Sequence, residues 1–248
     1  MSDLVLVTDE GPVRIVRMNR PEKKNALTQA MYGAMAQGIE SAGADTRCLL
    51  IAGAPTVFCA GNDIGDFVAS ASQGGELGAP ILLFLYALVR CDKPLVAAVQ
   101  GNAVGVGTTM LMHCDHVVAS TEARFSTPFA SLGLVPEAAS SLIAPRLMGH
   151  ARAFSLLVMG RPLNAAEAKE AGLVNTVVPP GAVEAEAMKA ALAIAALPPQ
   201  AVAASRRLMR GAPDEIVARI DAEAEAFKAR LASAEAQAAF MAFMTRKR

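Results

Sequence analysis

Residues 94–107 read PLVAAVQGNAVGVG. LVAAVQ is an apolar, β-rich run bounded by a proline, which predicts a buried strand. GNAVGVG then turns the chain on three glycines and leads directly into TTMLMHCD, a short buried helix. HVVAS (116–120) follows as another strand. Apolar strands joined through helical segments predict an α/β architecture with largely parallel pairing. The same alternation extends upstream. LVLVT and VRIVRM flank the turn DEGP, Thr28 caps a helix bearing Met31, Met35 and Ile39, RCLLIA is a strand, and PILLFLYALVRC is a helix. Downstream, helices are expected up to Met148 and from Ala151 to Met159. Asn164 and Glu167 form a capping pair for AAEAKEA, Gly172 stops that helix, and LVNTVV is a further strand. Residues 65–79 contain SQGGELG and are expected to form a mobile loop near a site. Beyond Ala182 no strand signal appears. The final helices carry apolar stripes (Ile216, Ile220, Phe227, Leu231, Phe240, Phe243) that must pack on the α/β body or on another subunit.

Composition narrows the functional classes. Of 248 residues, 53% are hydrophobic and 19% charged, enough apolar material for a large core. Lys plus Arg and Asp plus Glu each number 23, so there is no basic excess of the kind a nucleic-acid face requires. Cys48, Cys59, Cys91 and Cys114 are far apart in apolar runs and are expected as reduced core thiols. His113, His116 and His150 match no metal-ligand spacing, so no metal is expected. The run from Pro94 to Ala119 is interrupted by Gln100, Asn102 and Asp115, against a membrane span. A start without a basic, apolar leader points to a cytoplasmic protein.

Two segments suggest chemistry. CAGND (59–63) and GNAVGVG both place small residues where backbone N–H groups can face outward, and the second opens a helix. Converging donors of this kind form an oxyanion hole. Simple tight packing is the alternative, while G-x-x-x-G-x-G is not a phosphate-binding fingerprint. The stretch STPFASLGLVPEAASS (126–141) holds a single acid, Glu137, among apolar residues. Desolvation there raises a carboxyl pKa toward the range of a general base. The structural alternative is that Glu137 is a first-turn acid of the helix that follows.

NRPEKKNALT, FCAGNDI, PLVAAVQGNAVGVG, HCDHVVAS, PFASLGLVPEAASS and NAAEAKEAGLVNTVV together resemble the crotonase (enoyl-CoA hydratase/isomerase) superfamily, in order and over nearly the whole chain. The resemblance implies a spiral α/β core of ββα units over residues 1–195 and a helical C-terminal trimerisation region over 196–248. It implies a homotrimer or dimer of trimers and an acyl-CoA thioester as substrate, with no cofactor beyond that substrate's coenzyme A. The oxyanion donors fall on the N–H groups of Asn62 and Val106, where many relatives have glycine at the second position. Ala60, Asp63 and Ile64 are expected along the pantetheine channel, Lys23, Lys24, Ala26 and Leu27 at the nucleotide end, and Arg246 at the phosphates. The two glutamates of hydratases correspond to Thr109 and Phe129, neither of which transfers a proton as a carboxylate does. Glu137 matches the single glutamate of peroxisomal-type Δ3,Δ2-enoyl-CoA isomerases, with Phe129 as a wall of the pocket. Other acyl-CoA chemistry, hydration or thioester hydrolysis, and a non-catalytic acyl-CoA-binding module are the alternatives.

Overall fold

The computed structural model describes residues 3–54, 56–65 and 78–246, without the side chains of residues 243, 244 and 246. β1 (Val5–Glu10) and β2 (Val13–Met18) form an antiparallel hairpin around Gly11, whose φ of 58° suits glycine. β3 (Cys48–Ala52), β4 (Leu95–Val99), β6 (His116–Ser120) and β9 (Thr176–Val178) add in parallel, giving the order β1-β2-β3-β4-β6-β9. β5 (Asn102–Val104), β7 (Arg124–Ser126) and β8 (Leu163–Asn164) make a second, smaller sheet. The chain steps from large to small sheet at β4-β5 and again at β6-β7, each step followed by a helix. These are the expected ββα turns of the spiral.

The period-2 alternation of the strands builds two apolar faces. Ile15, Leu50, Val96 and Val118 face one side, where they pack on α7 (Val183–Ala195) through Val183, Ala187, Ala191 and Ala195. Those four recur every fourth residue, so they form one helical stripe. The opposite face carries Val16, Leu49, Ile51, Ala97 and Val117. It packs on α1 (Gln29–Glu40) and α2 (Ala79–Arg90). Strands buried on both faces explain why CLLIA and LVAAV are apolar throughout. Thr28 caps α1 by accepting the Met31 N–H at 3.3 Å. Asn164 and Glu167 complete a reciprocal capping box on α6 (Ala165–Glu170).

Some elements differ from expectation. The helix expected at TTMLMHCD begins earlier, as α3 (Val106–Thr109), and continues as a 3-10 turn to His113. GNAVGVG is also more than a turn, because Asn102–Val104 pairs with Arg124–Ser126. Residues 66–77, most of the expected mobile loop, lie outside the described residues. After α7 come α8 (Pro199–Arg210), α9 (Pro213–Leu231) and α10 (Ala234–Arg246). Phe227, Leu231 and Phe240 pack against Phe129 and Leu134 of the same chain. At the contact between α10 and the body, a Cβ on Gly133 would sit 2.8 Å from Ala236 Cα.

Candidate active site

The segment Cys59–Asp63 is held between two neighbours. On one side, Val104 N–H donates to Cys59 O at 2.9 Å and Cys59 N–H to Asn102 O at 3.1 Å. On the other, Ala60 N–H donates to Lys24 O, Leu27 N–H to Gly61 O and Asp63 N–H to Leu27 O, all within 3.0 Å. Leu27 pairs in parallel with Asn62, and in such a ladder the groups of Asn62 point away from that neighbour. The Asn62 side chain is anchored separately, since its Oδ1 accepts the hydroxyl of the fully buried Tyr32.

Val106 is the first residue of α3, where the helix offers no internal acceptor for its N–H. Gly105 before it takes φ 56° and ψ −121°, so the glycine-only conformation falls there and valine is tolerated at 106. Gly107 allows the close approach of α3, because a Cβ there would lie 2.8 Å from Cys59 Cβ.

A cavity of about 200 Å³ opens beside these segments, lined by Ala60, Gly61, Asn62, Ile64, Gly105 and Glu137, with Phe129, Leu134, Phe227 and Phe240 as its apolar wall. Glu137 is the one carboxylate among the described residues that line it. It is 2% exposed, and among the described residues neither carboxyl oxygen has a hydrogen-bond partner. Burial, reinforced by the negative charge of Glu223, pushes its pKa up to about 8. Glu137 is not in the first turn of the helix, as the structural alternative required. α4 (Ser140–Met148) starts three residues later, after Ala138 and Ala139 at φ 61° and 54°, and is followed by α5 (His150–Leu157). Those left-handed residues swing the Glu137 side chain out of the helix direction.

Backbone contacts lock this turn. Ser140 donates its N–H and hydroxyl to Glu137 O at 3.1 and 2.6 Å. His113 Nε2 donates to Ala138 O at 2.8 Å, and burial lowers its pKa to about 4, which keeps the ring neutral. Glu223 on α9 accepts the N–H groups of Ala139 and Ser141 at 2.6 and 2.9 Å.

The remaining expected residues are distributed around this centre. Lys23 and Lys24 are exposed beside the Ala60 segment, and Ala26 is half-buried. Leu27, expected at the nucleotide end, has its side chain in the core and reaches the site only through its backbone. Asp63 does not line the cavity; it turns to Arg20 in a 2.7 Å ion pair. Thr109 is fully buried with its hydroxyl unpartnered. The side chain of Arg246 lies outside the described residues. The sequence pattern assigns no role at the site to Tyr32, His113 or Glu223. Glu223 left one signal, an acid on the apolar stripe Ile216, Ile220, Phe227, Leu231.

A family profile described as enoyl-CoA hydratase/isomerase matches residues 8–248. The chain belongs to this family. It is similar to rat enoyl-CoA delta isomerase 2, 39% identical over 250 residues that cover 98% of this chain and 64% of that protein. The chain therefore spans less than two thirds of that relative. Among solved structures, Pseudomonas aeruginosa OdaA is 42% identical with a TM-score of 0.93, over 98% of this chain and 99% of that one. An enoyl-CoA hydratase/isomerase from Pseudoalteromonas atlantica is 41% identical with a TM-score of 0.92, over 98% and 97%. The fold of this enoyl-CoA hydratase/isomerase family member is accordingly the crotonase fold.

Proposed function

We propose that the protein converts a 3-enoyl-CoA into the trans-2-enoyl-CoA, with Glu137 as sole base. The observation that carries this is one unpartnered carboxyl in an apolar cavity, with threonine and phenylalanine where a hydratase has its two glutamates. The likeness to a delta isomerase supports the same choice.

The C2 hydrogens of a 3-enoyl thioester are acidified by the carbonyl and by the neighbouring double bond. Glu137 carboxylate takes one, and the electron pair spreads through C2, the carbonyl and C3–C4. The N–H groups of Asn62 and Val106 hold the dienolate oxygen, a contribution of about 3 kcal/mol per donor. The protonated Glu137 then returns its proton at C4, leaving the double bond at C2–C3. No further cofactor is needed, since every atom moved belongs to the substrate or to Glu137. Phe129, Leu134, Phe227 and Phe240 keep water from the intermediate. Lys23, Lys24 and Arg246 serve the nucleotide end of coenzyme A.

Incubation with 3-hexenoyl-CoA tests the proposal. The expected product is trans-2-hexenoyl-CoA of unchanged mass, and Glu137→Gln lowers turnover at least about a hundredfold. A product that has gained water, or a Glu137→Gln variant that still turns over, overturns it.

A further inference from the structure

Among the described residues nothing hydrogen-bonds the Glu137 carboxyl, so its direction is set by its backbone and by the packing around it. Its aim therefore depends on whatever fixes residues 137–141. Ala138 and Ala139 are both left-handed, a conformation that is strained for a non-glycine residue and needs support. Ala139 stands at the N-cap of α4 but has no side-chain oxygen to satisfy the helix's first N–H groups.

Glu223 supplies that cap from another helix. Its oxygens accept two N–H groups of the turn, one each, while the side chain is 7% exposed. It lies four residues before Phe227, so the same face of α9 holds the turn and forms part of the cavity wall. Burial raises the Glu223 pKa, while the N–H groups of Ala139 and Ser141 that its oxygens accept favour its ionised form. We propose that Glu223 is a positioning residue, which aims the Glu137 carboxyl into the cavity by holding the turn behind it. This rests on the reading of Glu137 as the base.

The charged and titratable groups around the pair are few. Among the described residues Glu223 from α9 bears on Glu137 electrostatically, and Glu137 in turn raises the pKa of Tyr32 on α1 and of Cys59 in the segment below. Tyr32 and Cys59 are held neutral by burial. Arg219 lies one turn before Glu223 and offsets part of its charge. His113, neutral, touches the turn at Ala138 O. Glu223 is therefore the anion that raises the proton affinity of Glu137.

Two variants separate the clamp from the charge. Glu223→Gln removes the charge and turns one acceptor into a donor, whereas Glu223→Asp keeps the charge and withdraws the oxygens by one methylene. Steady-state kinetics with 3-hexenoyl-CoA across pH are combined with direct titration of the Glu137 carboxyl by carbon-13 NMR. Both variants should lose kcat about tenfold or more with little change in KM, as expected for a misaimed catalytic group. Only Glu223→Gln should move the Glu137 midpoint, and to lower pH. Glu223→Asp supplies the kinetic comparison should Glu223→Gln not fold. Wild-type kcat and an unshifted Glu137 titration, with only the melting temperature lowered, would reduce Glu223 to a helix cap and overturn the proposal. A shifted titration in a protein whose wild type does not isomerise 3-enoyl-CoA supports the contact between Glu223 and Glu137 and overturns the reaction instead.

Discussion

Replacing Glu137 by glutamine should stabilise the fold, increasingly so as pH rises. In the folded chain the Glu137 carboxyl has its pKa raised from 4.5 to about 8, because it is buried and faces the charge of Glu223. Between those values the folded chain keeps a proton that the unfolded chain has released. Stability is therefore withdrawn as pH climbs from about 4.5 to about 8, and the loss is complete above the upper value. One pKa unit corresponds to about 1.4 kcal/mol, so the full penalty is roughly 5 kcal/mol, of which about 3 kcal/mol has accrued at pH 7. Glutamine has no proton to lose and escapes the penalty. Urea unfolding of both proteins at several pH values measures the difference, and carboxylates common to both cancel from it. The variant's advantage should grow by several kcal/mol between about pH 4.5 and pH 9, worth roughly 10–20 °C in melting temperature at the alkaline end. A difference that stays flat across this range would refute the assignment of a buried, proton-holding carboxyl.

The same titration should govern catalysis: kcat/KM for a 3-enoyl-CoA rises with pH until about 8 and then levels, and a pH-independent profile would remove Glu137 as the base. Tyr32→Phe deletes the hydroxyl that holds Asn62 Oδ1, with an expected stability loss of about 1 kcal/mol and a severalfold fall in kcat, both measurable on one preparation. Gly133→Ala forces a Cβ to within 2.8 Å of Ala236 Cα at a residue with φ of 71°. It should cost about 2 kcal/mol or more and loosen α10, seen as faster amide exchange in residues 234–242.

Much of this fold is written in local pattern. CLLIA and LVAAV are apolar at every position because sheet faces on both sides are covered, and they stand out as continuous short apolar runs. β5 and β7 are three residues long and β8 two, too short for any periodicity, so the second sheet is invisible until the strands meet. Glu137 was legible because a single acid stands in an apolar run. The start of α4 was not, since alanine at the N-cap gives no capping signal and the missing oxygen comes from Glu223. Tyr32 and His113 act through contacts with distant residues, Asn62 and Ala138. Ordinary helix positions carry no trace of such partners.

The hold of Glu223 on the turn after Glu137 also bears on how the protein is made. Ala139 and the glutamate that caps it are 84 positions apart. At ribosomal rates of about 5–20 residues per second, Glu223 is added roughly 4–17 s after Ala139. During that interval the left-handed alanines lack the support of Glu223, and the cavity lacks Phe227 and Phe240. The nascent chain can assemble its central sheet while its reactive centre stays unformed, so the site is completed late in synthesis.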